Sequence, residues 1–268
     1  MPNAFLYLIT LAGYLALAFH FRPGGPACCR PTSPSRLLLF APLLVHAYLL
    51  GLVIFPEGGM SLGFGSSLSA VAALTVLFYG MAIWYYPLVG MQSFVLLFAA
   101  LGLALQWLMP AASLVPVSGS PIFRFHMLMA FMAYGLFTIA ALHAVLIALA
   151  EKHLHKPSPS RLVLALPPLL TLEKLLFRMV EVGFIILSLT LFTGIFFSEA
   201  IYGRAVPLTH MTVFGIASWL IYAALLTGRK IYGWRGRTAI FWTLAGFVTL
   251  LLAYVGVKFV LEVILHRA

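Results

Sequence analysis

One stretch of the chain decides the fold: residues 123–149 read FRFHMLMAFMAYGLFTIAALHAVLIAL. The stretch is almost wholly apolar, it contains no acidic residue, and its basic side chains are Arg124, His126 and His143. A helix of about 20 apolar residues is long enough to cross the hydrocarbon core of a bilayer. The stretch is therefore predicted to be a transmembrane helix.

Similar apolar runs occupy most of the remaining chain. Of the 268 residues, 63% are hydrophobic and 8% are charged, and the mean hydropathy is +1.08, a composition that excludes a water-soluble domain. The sequence predicts an all-α integral membrane protein, with about eight transmembrane helices in a single bundle and one polytopic membrane domain over residues 1–268. The predicted spans are approximately residues 4–21, 37–55, 65–86, 91–109, 123–149, 179–198, 208–227 and 238–264.

The positive charge lies in the short loops between the spans. The formal net charge is +10, and basic residues concentrate after the first, fifth and seventh predicted spans, on one side of the membrane. Basic loops of this kind face the cytoplasm, so both termini are predicted to lie outside, and nucleic-acid binding is not expected. The second half of the loop 151–177 has helical periodicity with its charges on one side, which predicts a helix along the membrane surface. The basic residues are Arg22, Arg30 and Arg36, then Lys152, Lys156, Arg161, Lys174 and Arg178, then Arg229, Lys230, Arg235 and Arg237.

Two histidines stand near the outer ends of predicted spans, and each has an arginine just upstream. His126 follows Arg124, and His210 follows Arg204. An imidazole inside a bilayer is costly unless it has a partner, so intramembrane ionisable groups are functional candidates. Two imidazoles at matched depth on different helices can ligate a haem iron or another metal from opposite sides, and the arginines are then candidates to pair with the haem propionates. The alternative is that both histidines are interfacial helix caps or hydrogen-bond donors.

His46 and His143 are candidates for a second, deeper site. His143 follows His126 by 17 residues, about 25 Å along a helix axis, so those two cannot share a ligand. His143 and His46 both belong to the interior of their spans, where they form either a second bis-histidine site or a pair of buried imidazoles with protein partners. Lys258 and Glu262 lie one helical turn apart, which favours a structural ion pair within the membrane.

In their order and spacing, the segments 126–137, 166–178 and 210–223 resemble the cytochrome c assembly protein family, which is related to CcsA, and within it the HemX/YpjD-like branch. The segment 126–137 has the pattern His-x7-Tyr-x2-Phe, and the resemblance extends over most of residues 37–265. It implies a multi-span inner-membrane protein that binds or conveys haem during cytochrome c maturation, with histidines as axial ligands. The other segments that carry it are residues 183–184, 193–194, 228–237 and 252–262.

This sequence departs from the full haem-attaching members of that family in one loop. Those members carry a tryptophan-rich loop that presents haem, whereas residues 199–209 contain no tryptophan. We therefore expect that this chain does not attach haem itself. Enzymatic activity is not expected either, because the sequence has no Walker lysine, Gly-x-Ser-x-Gly or His-Glu-x-x-His motif.

Together these features predict a multi-pass protein of the bacterial inner membrane that binds or handles haem b in support of cytochrome c assembly. His126 and His210 are the predicted axial ligands of the haem iron, with Arg124 and Arg204 nearby, and His46 and His143 form the predicted inner pair. The expected partners are haem, the lipid bilayer and other cytochrome assembly proteins. Two alternatives remain, a transporter-like protein for a small solute or ion, and a non-catalytic membrane partner or regulatory subunit.

Overall fold

The structure, a computed structural model, describes residues 3–22, 37–57, 59–86, 91–109, 120–154, 166, 168–202, 209–260 and 264. These residues form eight long helices, and the last one continues through a π-helical segment, Leu252–Gly256, and a short α-helical turn, Val257–Phe259. The long helices are α1 (Ala4–His20), α2 (Phe40–Ile54), α3 (Phe64–Ala82), α4 (Gln92–Leu108), α5 (Pro121–Leu154), α6 (Leu169–Tyr202), α7 (His210–Tyr232) and α8 (Gly236–Leu251).

Five of the described helices are long and apolar enough to cross a membrane: α3, α5, α6, α7, and α8 with its continuation to Phe259. The helices α1, α2 and α4 are also apolar but have 17, 15 and 17 residues, a rise of about 22–26 Å, against a hydrocarbon core of about 30 Å. The all-α membrane architecture is therefore confirmed, and the chain is a multi-pass membrane protein. The count of eight spans and the outside placement of both termini remain predictions.

The helices α5 and α6 are longer than the predicted spans 123–149 and 179–198. Each has 34 residues, or about 51 Å. The prediction of a separate surface helix is wrong for residues 169–177, which form the first turns of α6. Leu172, Leu175 and Leu176 of these turns are buried, because the apolar side of the helical periodicity packs inside the protein and not against the membrane surface.

The helices form two groups, and small residues allow close packing in both. Within the group α1–α4, a Cβ added to Gly102 of α4 would lie 2.8 Å from the Cβ of Ala72 on α3. Within the group α5–α8, the rings of Phe137 and Tyr222 stack with centroids 3.9 Å apart, and Tyr222 packs directly on Gly246. The packing of α3 against α5 joins the two groups.

A tight turn between α7 and α8 is held by a carboxylate from α6. Gly233 ends α7 in the left-handed conformation, with φ 66°. Glu173 accepts hydrogen bonds from Arg235 Nε at 3.2 Å and from the backbone N–H of Gly236 at 2.8 Å. The segment 228–237, one of those behind the family resemblance, therefore has a structural role. We call this end of the bundle the inner end, and the opposite end, which holds His126, the outer end, after the predicted orientation.

Candidate functional site

His126 lies near the outer end of α5 and packs against α6. Its Nδ1 lies 3.1 Å from the hydroxyl oxygen of Thr193. The next residue, Gly194, approaches the edge of the ring so closely that an added Cβ would lie 3.1 Å from Cε1 of His126. The imidazole is therefore half-buried in a depression of the α6 surface, which exists because residue 194 has no side chain.

The hydrogen bonds of Thr193 determine which nitrogen of His126 carries the proton. The Thr193 hydroxyl donates to the Thr190 carbonyl at 3.0 Å, so its oxygen can only accept from the ring. The contact with Thr193 therefore requires a proton on Nδ1, and Nε2 is the unprotonated nitrogen of this tautomer. Metal-ligating histidines characteristically donate their other N–H in this way, so the donor set of His126 fits an iron or another transition metal.

His210 is the first residue of α7 and is exposed. The N-cap of this helix is Thr209, whose hydroxyl oxygen accepts from the backbone N–H of Thr212 at 3.3 Å. The capping role that the sequence left open for His210 therefore belongs to Thr209. Among the described residues, no hydrogen bond to the His210 ring is present, and its predicted role as a ligand remains a prediction.

The packing of α6 and α7 places His210 close to the depth of His126. Leu191 of α6 lies 3.6 Å from an added Cβ on Gly215, which sets the register of these helices. His210 precedes Gly215 by five residues, and Thr193, which bonds His126, follows Leu191 by two. Both displacements point outward, and Thr193 marks the level of His126. With a helix rise of 1.5 Å per residue, the difference of three residues places His210 about 4–5 Å farther outward than His126. Because α5 and α7 both begin at the outer end, the side chains of both histidines tilt outward.

Of the two arginines that were predicted near the site, the structure describes Arg124 only. Arg124 is exposed near the start of α5, two residues before His126, and residues two apart on a helix do not share a face. Arg204 lies outside the described residues. Their predicted contribution to an anion site remains a prediction, since the described part of the structure does not bring Arg124 and His126 onto one surface.

The structure does not bring the inner pair, His46 and His143, together. His46 is fully buried between α1, α2 and α3, where its ring nitrogens contact Tyr14 Oη at 3.1 Å and Ser69 Oγ at 2.7 Å. Both partners are hydroxyl groups, so either neutral tautomer of His46 is satisfied. In this arrangement His46 is a buried imidazole with protein partners.

His143 is also fully buried, but it lies in a different cluster, against α6 and the residue that precedes α4. Its Nε2 lies 3.0 Å from the Leu172 carbonyl oxygen, and its Nδ1 lies 3.0 Å from Met91 Sδ. Both nitrogens of each inner histidine are therefore occupied by protein groups. This arrangement corresponds to the structural alternative, and a second bis-histidine site remains a prediction.

Thr193 and Gly194 are the site residues that sequence reasoning did not identify. Both were visible only as a two-residue segment within the family resemblance, and nothing in their own spacing connects them to His126, 67 residues earlier. Their role depends on the antiparallel pairing of α5 and α6, which is a tertiary contact.

Comparison with known proteins gives both a family and individual relatives. A family model described as "Cytochrome C assembly protein" matches residues 35–265. "Inner membrane protein YpjD" of Escherichia coli (strain K12) is 32% identical over 167 residues, which are 62% of this chain and 62% of that protein. "Cytochrome c biogenesis protein CcsA" of Prochlorococcus marinus is 35% identical in strain MIT 9515 and 37% in strain CCMP1986, over 88 residues.

The individual matches are partial. The match to CcsA covers 33% of this chain and 28% of either CcsA protein, so this chain aligns with less than two thirds of the length of each of these relatives. No solved structure matches this chain. The family model, in contrast, covers most of the sequence, including both outer histidines and every described helix from α2 to α8. The chain belongs to the cytochrome c assembly protein family.

Proposed function

We propose that this protein binds haem at the outer ends of α5, α6 and α7 in support of cytochrome c assembly, with His126 and His210 as axial ligands of the iron. The observation that carries the proposal is the hydrogen bonding of His126, because its Nδ1–H donates to a hydroxyl of the neighbouring helix, as metal-ligating histidines characteristically do with their other ring nitrogen. Family membership and the CcsA relatives support a role in cytochrome c biogenesis.

The residues of the site have distinct tasks in this proposal. Thr193 fixes the tautomer and the orientation of the His126 ring, and Gly194 leaves room for that ring against α6. His210 is exposed at the start of α7 and contributes the second imidazole. Bound haem would supply an iron centre, which the imidazole nitrogens of His126 and His210 would hold.

Several finer features belong to the same proposal. The bound group is haem b, and the protein is non-enzymatic: it holds or passes on haem without attaching it. The protein lies in the bacterial inner membrane, in agreement with the name of YpjD, and works with other cytochrome assembly proteins. Its eight helices all span the bilayer, with both termini outside.

The test is an absorption spectrum of the purified protein. The wild type, expressed with ample haem and purified in a mild detergent, should show a Soret band and a reduced α-band. His126→Ala and His210→Ala should each lose these bands, whereas His20→Ala, at the inner end of α1, should retain them. A colourless wild type that also fails to bind added haem would refute the proposal and favour the transporter or partner-subunit alternatives.

A further inference from the structure

His143 forms a fully buried contact with the sulfur atom of Met91. Nε2 of the imidazole lies 3.0 Å from the Leu172 carbonyl oxygen, and Nδ1 lies 3.0 Å from the thioether sulfur. His143 is 0% exposed, and Met91 and Leu172 are each 1% exposed. The three residues belong to α5, to the position just before α4 and to α6. The contact is therefore a product of the tertiary structure and is shielded from water.

The partner of Nε2 determines the tautomer of His143. A backbone carbonyl can only accept a hydrogen bond, so Nε2 carries the proton and donates it to the Leu172 oxygen. In the neutral ring, Nδ1 then carries a lone pair. The sulfur that it faces has no proton to donate, because a thioether is only a weak acceptor. Two lone-pair donors thus converge 3.0 Å apart, and the neutral ring gains no hydrogen bond from its contact with Met91.

A cation bonded to both atoms would make this contact favourable. A second proton on the ring gains only a weak N–H···S bond, and it leaves a charged imidazolium in a buried site, which is costly in a membrane protein. A soft metal ion instead forms a bond to each donor at once. Thioether sulfur together with imidazole nitrogen is a donor set that favours Cu(I).

The distance between the two donors is close to the distance that one metal ion requires. Bonds of the lengths found at tetrahedral zinc sites, about 2.0–2.1 Å to nitrogen and 2.3 Å to sulfur, place two ligands about 3.5 Å apart. The sulfur must therefore move by about half an ångström, and methionine adapts readily because its side chain is unbranched and flexible. His143 is already oriented, since its Nε2–H donates to a carbonyl as metal-ligating histidines characteristically do.

We propose that Nδ1 of His143 and the sulfur of Met91 bind a soft monovalent metal ion, Cu(I), at a site separate from the outer one. His143 follows His126 by 17 residues on α5, about 25 Å along the helix axis, so the two sites cannot share an ion. Histidine and methionine provide two ligands, and an exogenous ligand completes the coordination. The inference goes beyond the proposed function and does not depend on haem binding.

The test is a titration of Cu(I) into the purified full-length protein under anaerobic, reducing conditions, in competition with a chromophoric Cu(I) chelator. The parent protein carries Cys28→Ser and Cys29→Ser, because thiolates bind the same ion. It should bind Cu(I), and Met91→Leu and His143→Gln should each weaken binding by at least about 10- to 100-fold, the effect of removing even an outer-shell partner of a metal ligand. Leucine keeps the volume of methionine, and the glutamine amide can donate to the Leu172 carbonyl in place of Nε2.

Two control variants should bind Cu(I) as the parent does. Met179→Leu removes another buried methionine, on α6, and His126→Ala removes the imidazole of the outer site. X-ray absorption at the copper edge should show a sulfur neighbour in the parent protein that is lost in Met91→Leu.

The proposal is wrong if the parent protein binds no Cu(I), or if Met91→Leu binds it as tightly as Met179→Leu does. Loss of Cu(I) binding in His126→Ala, with full binding in Met91→Leu, would place the metal at the outer site and would equally overturn it. Circular dichroism and thermal unfolding of each variant establish that it is folded. Met91→Leu alone decides the proposal if His143→Gln does not fold.

Discussion

Thr193 couples the chemistry of His126 to the packing of α6. Its hydroxyl donates to the Thr190 carbonyl and accepts from His126, so the ring orientation depends on a hydrogen bond within the neighbouring helix. A serine or threonine hydroxyl bonded to a carbonyl one turn earlier is common in membrane helices. Here that local bond fixes the acceptor that an imidazole from another helix needs.

Replacing Thr193 with valine should weaken haem binding by about 10- to 100-fold, the usual effect of removing a hydrogen-bond partner of a metal ligand. Valine keeps the shape of threonine but accepts no hydrogen bond, so the Nδ1 proton of His126 loses the Thr193 oxygen. Titration of haem into the purified variant measures the change. Thr193→Ser retains the hydroxyl and should bind as the wild type does. Equal affinities for the valine and serine variants would show that Thr193 does not position the ligand.

Gly194→Ala should disturb the site through packing alone. The new Cβ would lie 3.1 Å from His126 Cε1, so the ring must move by a few tenths of an ångström and its Nε2 with it. The matched control is Gly183→Ala, whose Cβ would lie 3.0 Å from Phe137 on the same pair of helices.

Both alanine variants should lose about 1–2 kcal/mol of stability from overpacking, but only Gly194→Ala should also shift the Soret band and weaken haem binding. Thermal unfolding and spectra of the two variants make the comparison. A normal spectrum for Gly194→Ala, or an altered one for Gly183→Ala, contradicts the assignment of His126 as a ligand beside Gly194.

At the level of the helices, a carboxylate of α6, Glu173, stabilises the turn between α7 and α8 at the inner end. Glu173 is mostly buried, with a side chain 12% exposed, whereas its partner Arg235 is 50% exposed. The exposed arginine limits the contribution of the ion pair itself. The backbone hydrogen bond to Gly236 at the start of α8 is the stronger part of the contact, because a carboxylate near a helix N-terminus also interacts favourably with the helix dipole.

Glu173→Ala should therefore destabilise the protein by about 1–2 kcal/mol, through loss of a charge-assisted bond to the first turn of α8. The thermal unfolding midpoint, followed by tryptophan fluorescence, should fall by several degrees, while the haem spectrum of the folded protein should not change. Arg235→Ala should cost less, and Lys174→Ala, at an exposed neighbouring position, should have no effect. A larger loss in Arg235→Ala than in Glu173→Ala would mean that the ion pair, and not the helix cap, is the main contribution.

For the molecule as a whole, the sequence predicts helices well and their partners poorly. Apolar length alone identified the helices, because a membrane segment must satisfy its backbone hydrogen bonds internally. The start of α6 was missed because the spacing of Leu172, Leu175 and Leu176 is the same for a surface helix and for one packed in a bundle. The inner pair, His46 and His143, was grouped by depth, whereas their actual partners Ser69 and Leu172 are contacts between distant segments.

The outer site shows the same difference: some of its features follow from the local sequence, and others follow only from tertiary contacts. His126 and His210 were predicted because polar groups at the ends of apolar runs are conspicuous, and the structure has both near the N-terminal ends of their helices. The hydrogen bond between His126 and Thr193 and the one from Tyr134 to the Leu250 carbonyl depend on how α6 and α8 pack on α5. Neither follows from periodicity, since both concern the register between helices and not the pattern within one.

The orientation of the whole bundle is the prediction that connects these contacts to the membrane. The basic loops place the inner end in the cytoplasm, and the outer site then faces away from it. Labelling of single cysteines in intact cells, with Cys28 and Cys29 replaced by serine, tests this arrangement. Thr209→Cys and Lys230→Cys are both at exposed positions, near opposite ends of α7. A membrane-impermeant maleimide applied outside the inner membrane should label Thr209→Cys at once and Lys230→Cys only after the membrane is permeabilised. The reverse pattern would place His126 and His210 on the cytoplasmic side and would overturn the predicted orientation of the whole bundle.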